Sequence, residues 1–293
     1  MSALANPVPK FNADHDYAAE AEAFSAHLQR PVEVNERQAF VEVSASGGYS
    51  YQPAHHFRAD GVISHRGGYG QVSGHTDPDN GGAITLATAV IEGLNILEVV
   101  TADRVVGQII TEHRNGENLP SISFLGTRFD NLRIAGRPVE IDTHLDILGP
   151  RPEGDESYFS EGGIFNRIAH QYSNVKRMMG LPGWASEHFR WDPAEAQRSN
   201  QVNCSLVNEV SGAPGKSYGH VIDIPDFGQI FLAELTVKRS LVEPGPRLEN
   251  PETPRKYFYT FELTMIRTKN HGAVKGRTHS SRTKTNGKGK GGG

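Results

Sequence analysis

AITLATAVIEGLNILEVVTADRVVGQIITE, residues 83–112, is long and apolar enough for one buried helix, yet its residue types favour strands. Ile84, Thr85 and Thr88 in its first part are β-branched, and Val99–Thr101 and Val105–Thr111 are rich in such residues. Side chains of that shape lose rotamer freedom against a helical turn and pack well on a pleated surface. Gly93 and Gly107 would also interrupt a helix running through them. Read as strands, this stretch makes the chain mainly β.

The flanking sequence agrees. From residue 38 the apolar period is two, beginning at Phe40–Val43, and glycines from Gly47 to Gly82 mark turns between short strands. Over 138–148, Val139, Ile141, Thr143, Leu145 and Ile147 alternate with Glu140, Asp142, His144 and Asp146. That predicts a half-buried antiparallel strand, paired with Asn131–Ile134 through a turn at Ala135-Gly136-Arg137. Alternation returns at 201–210, 218–224, 229–238 and 256–267. The expected fold class is an antiparallel β-sandwich or barrel.

Two segments read as helical. Tyr17, Ala21, Phe24 and Leu28 fall at i, i+4, i+7 and i+11, which predicts an N-terminal helix over 13–30, closed by Pro31. Ile164, Ile168, Tyr172, Val175 and Met179 predict a second over 161–179, with Ser160 as its N-cap. Asp192-Pro193 has the form of another helix start. The expected layout is an arm and helix over 1–37, one β-rich domain over 38–268 with a helical insertion at about 150–200, and a tail over 269–293.

The net charge of −4 conceals an asymmetry. No acid follows Glu262, and the tail holds seven basic residues: Lys269, Lys275, Arg277, Arg282, Lys284, Lys288 and Lys290. The rest of the chain is therefore more acidic than the whole. Rich in glycine and poor in apolar side chains, the tail is expected to be disordered. Its charges suit a polyanion, a solubilising role, or contact with its own acidic body.

Enzyme motifs are scarce. There is no GxSxG or HExxH, and Gly215-Lys216-Ser217 lacks the earlier glycine of a phosphate loop. The single cysteine, Cys204, excludes internal disulfides and reads as a buried strand residue. His55, His56, His65 and His75, followed by Asp77 and Asp79, offer donors for a divalent metal, although the spacing matches no ligand motif and Asp77–Gly82 also reads as a plain turn. Glu140, Asp142 and His144 share one strand face, either solvated or a site for acid–base work. No run of about 18 apolar residues is present, so no membrane span is expected. No signal peptide is readable at Met1–Lys10, so the default expectation is cytoplasmic, with extracellular placement left open.

Ala87–Leu97, with Val100-Thr101-Ala102-Asp103 and the run Phe129–Val139, resembles bacterial β-rich proteins of the choice-of-anchor P type. Those carry a similar V-x-x-L-N-L-L … V-T-A-D run and an F-x-x-L-x-V-x-G-x-P-V run. The resemblance covers residues 87–139 and implies an all-β fold. It carries no assigned function and transfers no catalytic residue.

From the residues themselves, the leading expectation is a non-enzymatic binding or assembly protein, its ligand and partners unnamed and self-assembly one option. A metal-dependent enzyme using 55–79 is the alternative, and a polyanion-associated protein acting through the tail is the third. No cofactor is expected beyond a divalent metal.

Overall fold

The computed structural model describes residues 15–79, 81–114, 117, 119–153, 156–241, 257–270 and 275–287. In chain order the strands are β1 (Ala19–Arg30), β2 (Val34–Glu42), β3 (Gly48–Ala54), β4 (Phe57–Ala59), β5 (Ile63–His65), β6 (Gly67–Thr76), β7 (Ala83–Ile96) and β8 (Val100–His113). Short strands follow: β9 (Ser121–Ser123), β10 (Arg128–Asp130), β11 (Arg133–Ile134), β12 (Arg137–Pro138) and β13 (Glu140–Thr143). A wide turn over Glu161–Phe165 leads into α1 (Asn166–Lys176), α2 (Gly183–His188) and α3 (Pro193–Ser199). The chain then returns to strands: β14 (Gln201–Ser205), β15 (Val207–Ser211), β16 (Lys216–Tyr218), β17 (Val221–Ile224), β18 (Gly228–Leu241), β19 (Tyr257–Asn270) and β20 (Lys275–Gly287).

Every strand pair is antiparallel. One eight-stranded sheet runs β16-β17-β18-β19-β20-β1-β2, with β14 also on β18. A ten-stranded sheet is built on the β7–β8 hairpin, and β13 and β15 form a small third sheet. The two large sheets face each other, β1 over β6 and β7, and β20 over β7 and β8. The architecture is a sandwich and not a closed barrel. Residues 83–112 are two strands, as their β-branched content predicts. The turn at Leu97-Glu98 has positive φ at both residues, the geometry that a tight hairpin needs. No helix among the described residues is long and apolar enough to cross a membrane.

The N-terminal helix is not formed: residues 19–30 are strand β1. The reason is a crease that crosses the eight-stranded sheet. Ala39 on β2, Ala23 on β1, Ser281 on β20, Met265 on β19 and Ala233 on β18 are skipped by the ladder in one line, while the register on either side stays the same. Ala39, Ser281 and Ala233, on alternate strands, have φ of 53°, 52° and 47°. One extra residue per strand shifts the inward side of the pleat. In β1 the buried set is therefore Ala19, Ala21 and Ala23, then Phe24, Ala26 and Leu28. Two steps of two, a slip, and two more steps reproduce the spacing of a helix.

The crease also ties the sheets together. Ser281 Oγ donates to the Val105 carbonyl at 3.0 Å, and the Leu206 amide donates to the Ala233 carbonyl at 3.0 Å. A side chain at Gly107 would place its Cβ 2.5 Å from the Ser281 carbonyl oxygen. Only glycine allows the sheets to approach this closely there.

The expected disordered tail is also corrected. Residues 275–287 form β20, in the interior of the sheet between β19 and β1. Its inward residues are Thr278, Ser280, Ser281, Thr283 and Thr285, all buried. Threonine is a β-former whose methyl packs like valine's, so a scarcity of aliphatic residues does not signal disorder here. On the other face the basic residues meet the acidic body. Lys284 lies opposite both Glu20 and Glu262 and bonds Glu20 at 2.8 Å. Arg282 bonds Glu262 at 2.8 Å. The charge asymmetry of the sequence is thus a cross-strand pairing. Arg277 and Lys269 are exposed, while Lys288 and Lys290 lie outside the described residues.

The helical insertion forms as expected but ends earlier, at Lys176. Met179, the last member of its apolar stripe, is 99% exposed. Ser160 caps the wide turn by accepting from the Gly163 amide, and Asp192 Oδ1 accepts from Ala194 and Glu195 at the start of α3. The predicted strand 138–148 is divided: Arg137–Pro138 makes the expected hairpin with Arg133–Ile134, whereas Glu140–Thr143 is a separate strand paired with β15. Ile147 is buried, Val139, Ile141 and Leu145 are half-buried, and the chain beyond Thr143 turns.

Candidate functional site

Helix α1 anchors the insertion to the eight-stranded sheet. The Gln171 amide donates to the Ser205 carbonyl at 2.9 Å and the Val207 carbonyl at 3.2 Å, and the Tyr172 hydroxyl donates to the Asn203 carbonyl at 2.6 Å. These bonds fix α2 and α3 over the outer face of β18 and β19. A cavity of about 690 Å³ lies between them.

Three elements deliver its most polar group of side chains. His188 is the last residue of α2. His220 is the second residue of the two-residue turn joining β16 to β17, where Gly219 at φ 55° lets the chain reverse. Glu234 directly follows the crease on β18. The same change of inward side at the crease brings Phe231 and Glu234 to one side, as it does Thr264 and Arg267 on β19. His188 Nε2 lies 3.4 Å from His220 Nε2 and 3.9 Å from Glu234 Oε1. Arg267 grips both oxygens of Glu234, Nε on Oε2 at 2.5 Å and a terminal nitrogen on Oε1 at 2.8 Å. The guanidinium rests on the Phe231 ring, 3.7 Å from its centroid. Phe189 and Phe231 wall the histidines with aromatic carbon.

Burial holds the His220 imidazole well below the usual histidine range, helped by His188 and Arg267. His188 is lowered by burial against the opposing pull of Glu234, and His279 on β20 is lowered by burial and by Arg267 and Arg282. Of the carboxylates lining the cleft, Glu187, Glu195, Glu234 and Glu262 pair with Arg190, Arg198, Arg267 and Arg282, and Asp192 caps α3. Cys204 also lines the cleft, but its thiol is fully buried and its pKa is pushed up by that burial, so it is no thiolate nucleophile.

Among the described residues, His188, His220 and Glu234 are the one group of three or more potential metal donors that converges, with ligand atoms all within 4.8 Å of one another. The donors expected from 55–79 do not come together in this way. His55 and His56 are exposed between β3 and β4, and His65 turns into the core against Phe24 and Phe57. His75 is exposed near the far end of β6. Asp77 closes a turn by accepting the Asp79 amide at 2.9 Å, leaving Asp79 on the surface. Glu140 and Asp142 are exposed, and Asp142 accepts from Asn208 at 3.3 Å. His144 pairs with Asp146 at 3.0 Å. The converging triad escaped the sequence reading because its members lie far apart in the chain, one of them at a two-residue turn.

A family model described as a domain of unknown function, DUF8256, matches residues 15–238. The chain belongs to the DUF8256 family. The match takes in the whole triad and stops before β19 and β20, which bring Glu262, Arg267 and His279 to the same cleft. Membership assigns no activity and does not bear on the choice-of-anchor P likeness of 87–139. No curated protein matches the chain.

Proposed function

We propose that this DUF8256 chain is a binding protein whose cleft, between α2–α3 and the outer face of β18–β19, takes a small cation. The observation that carries this reading is the convergence of two imidazoles and a carboxylate, His188, His220 and Glu234, beside a cavity of about 690 Å³. Phe189 and Phe231 wall the two imidazoles with aromatic carbon, a low-dielectric setting that strengthens their interaction with a cation. The cavity is of the size that encloses small ligands. The basic strand β20 does not support a polyanion role for Arg282 and Lys284, since both are already paired with body acids.

The test is thermal unfolding of the full-length protein in chelator-containing buffer, with a short aliphatic diamine or a short dicarboxylate at millimolar concentration. A ligand that binds only the folded state raises Tm as its concentration exceeds Kd. The diamine is expected to raise Tm and the dicarboxylate to leave it unchanged. Glu234→Gln should weaken the diamine effect. A dicarboxylate preference would overturn the reading.

A further inference from the structure

We propose that His188, His220 and Glu234 hold a divalent metal ion of the zinc class. This rests on the reading of the cleft as a cation site and names the cation. Zinc–nitrogen bonds of about 2.0–2.1 Å at a tetrahedral angle separate two ligand nitrogens by about 3.3 Å. The Nε2 atoms of His188 and His220 are 3.4 Å apart, so an ion fits between them with almost no movement of either ring. Glu234 Oε1 stands 3.9 Å from the His188 nitrogen and needs only a small closing shift to become the third ligand.

The surroundings supply what a ligand set requires. A coordinating carboxylate is normally held by a hydrogen bond from behind. Arg267 does this for Glu234, its Nε on Oε2 and a terminal nitrogen on Oε1, and Oε1, the atom nearer His188, keeps a second lone pair for an ion. Arg267 is a positioning residue in this arrangement. His220 is 1% exposed, and its Nδ1 has no hydrogen-bond partner among the described residues. Among the described residues its hydrogen-bond contact is the His188 ring nitrogen, so the imidazole is not committed to a purely structural bond. Without an ion, two facing imidazole nitrogens can share only one proton. With one, both lone pairs are used.

The donor types choose the metal. Magnesium and calcium take oxygen ligands almost exclusively, whereas two imidazoles and one carboxylate suit zinc and its first-row neighbours. Three protein ligands leave a fourth position, and the cavity lies beside it, so an exchangeable group has access.

The experiment uses the full-length chain stripped by chelator dialysis and titrated with Co²⁺, whose visible bands report tetrahedral coordination by nitrogen and oxygen. One equivalent should bind and be displaced by Zn²⁺. His188→Gln and Glu234→Gln should each weaken binding more than about 100-fold, a larger loss than outer-shell changes produce. His55→Gln and His75→Gln should leave it unchanged. Unaltered far-UV circular dichroism of each variant keeps a folding defect from passing as lost binding, and His220→Gln gives a second reading of the same site. Absence of Co²⁺ and Zn²⁺ binding to the wild type, or binding that survives His188→Gln and His220→Gln together, would overturn the proposal. If the diamine still raises Tm in chelator, the cation-binding reading stands without the metal. If neither binds, both fall.

Discussion

At the scale of single residues, the chain stores several histidines where water cannot reach them. His65 is 1% exposed, packed between Phe24 and Phe57, with no partner for either ring nitrogen among the described residues. Burial, and the nearby His56, lower its pKa to about 4, and burial lowers His15 to about 4 as well. The sign follows from proton linkage. Above pH 6.5 both folded and unfolded His65 are neutral and the burial carries no charging cost. Below it the unfolded chain takes up protons that folded His65 refuses until pH nears 4, so stability falls through that window and levels off beneath it. His65→Leu should remove up to about 3 kcal/mol of this acid sensitivity, measured as the difference in urea unfolding free energy between pH 7 and pH 4. An unchanged pH dependence in the variant would show that His65 is not the group responsible. Nothing in the local sequence marks His65 as different from the exposed His55 and His56. Only the opposite strand, which brings Phe24 over its ring, decides it.

At the scale of elements, the crease explains both what the sequence revealed and what it hid. The strands at 229–238 and 256–267 are legible from alternation, although the crease puts Phe231 on the side of Glu234 and not with Leu235 and Val237, and the capped helix starts at Ser160 and Asp192 are legible too. β1 reads as a helix because one extra residue at Ala23 turns a strand's spacing into 4 + 3 + 4, the spacing of a helix. β20 does not show as a strand in the aliphatic pattern because its inward residues are serine and threonine. The candidate site was legible in its chemistry, histidine and carboxylate, but not in its members, which meet only through three separate elements. The crease itself can be tested at its closest contact. Gly107→Ala should destabilise by about 1–3 kcal/mol, because its Cβ would sit 2.5 Å from the Ser281 carbonyl oxygen and neither backbone can easily yield. Gly162→Ala, which meets nothing within 4 Å, should change stability by less than about 0.5 kcal/mol. Equal effects in chemical denaturation would argue against the close approach.

At the scale of the whole molecule, the C-terminal strand completes the acidic body. β20 separates β19 from β1, supplies Arg282 and Lys284 to Glu262 and Glu20, and brings His279 to the cleft. Removing residues 275–293 should therefore abolish cooperative unfolding, where a dispensable tail would leave it intact. Thermal unfolding followed by circular dichroism distinguishes the two. The cleft depends on the same assembly, since its floor is β18 and β19 and its roof is the helical insertion. The most direct measurement of the cation site is anomalous diffraction at the zinc edge, from crystals of the full chain grown with one equivalent of Zn²⁺. The account predicts one strong peak bounded by Nε2 of His188, Nε2 of His220 and Oε1 of Glu234. A map with no peak there, or with its strongest peak at His55, His56 or His75, would contradict it.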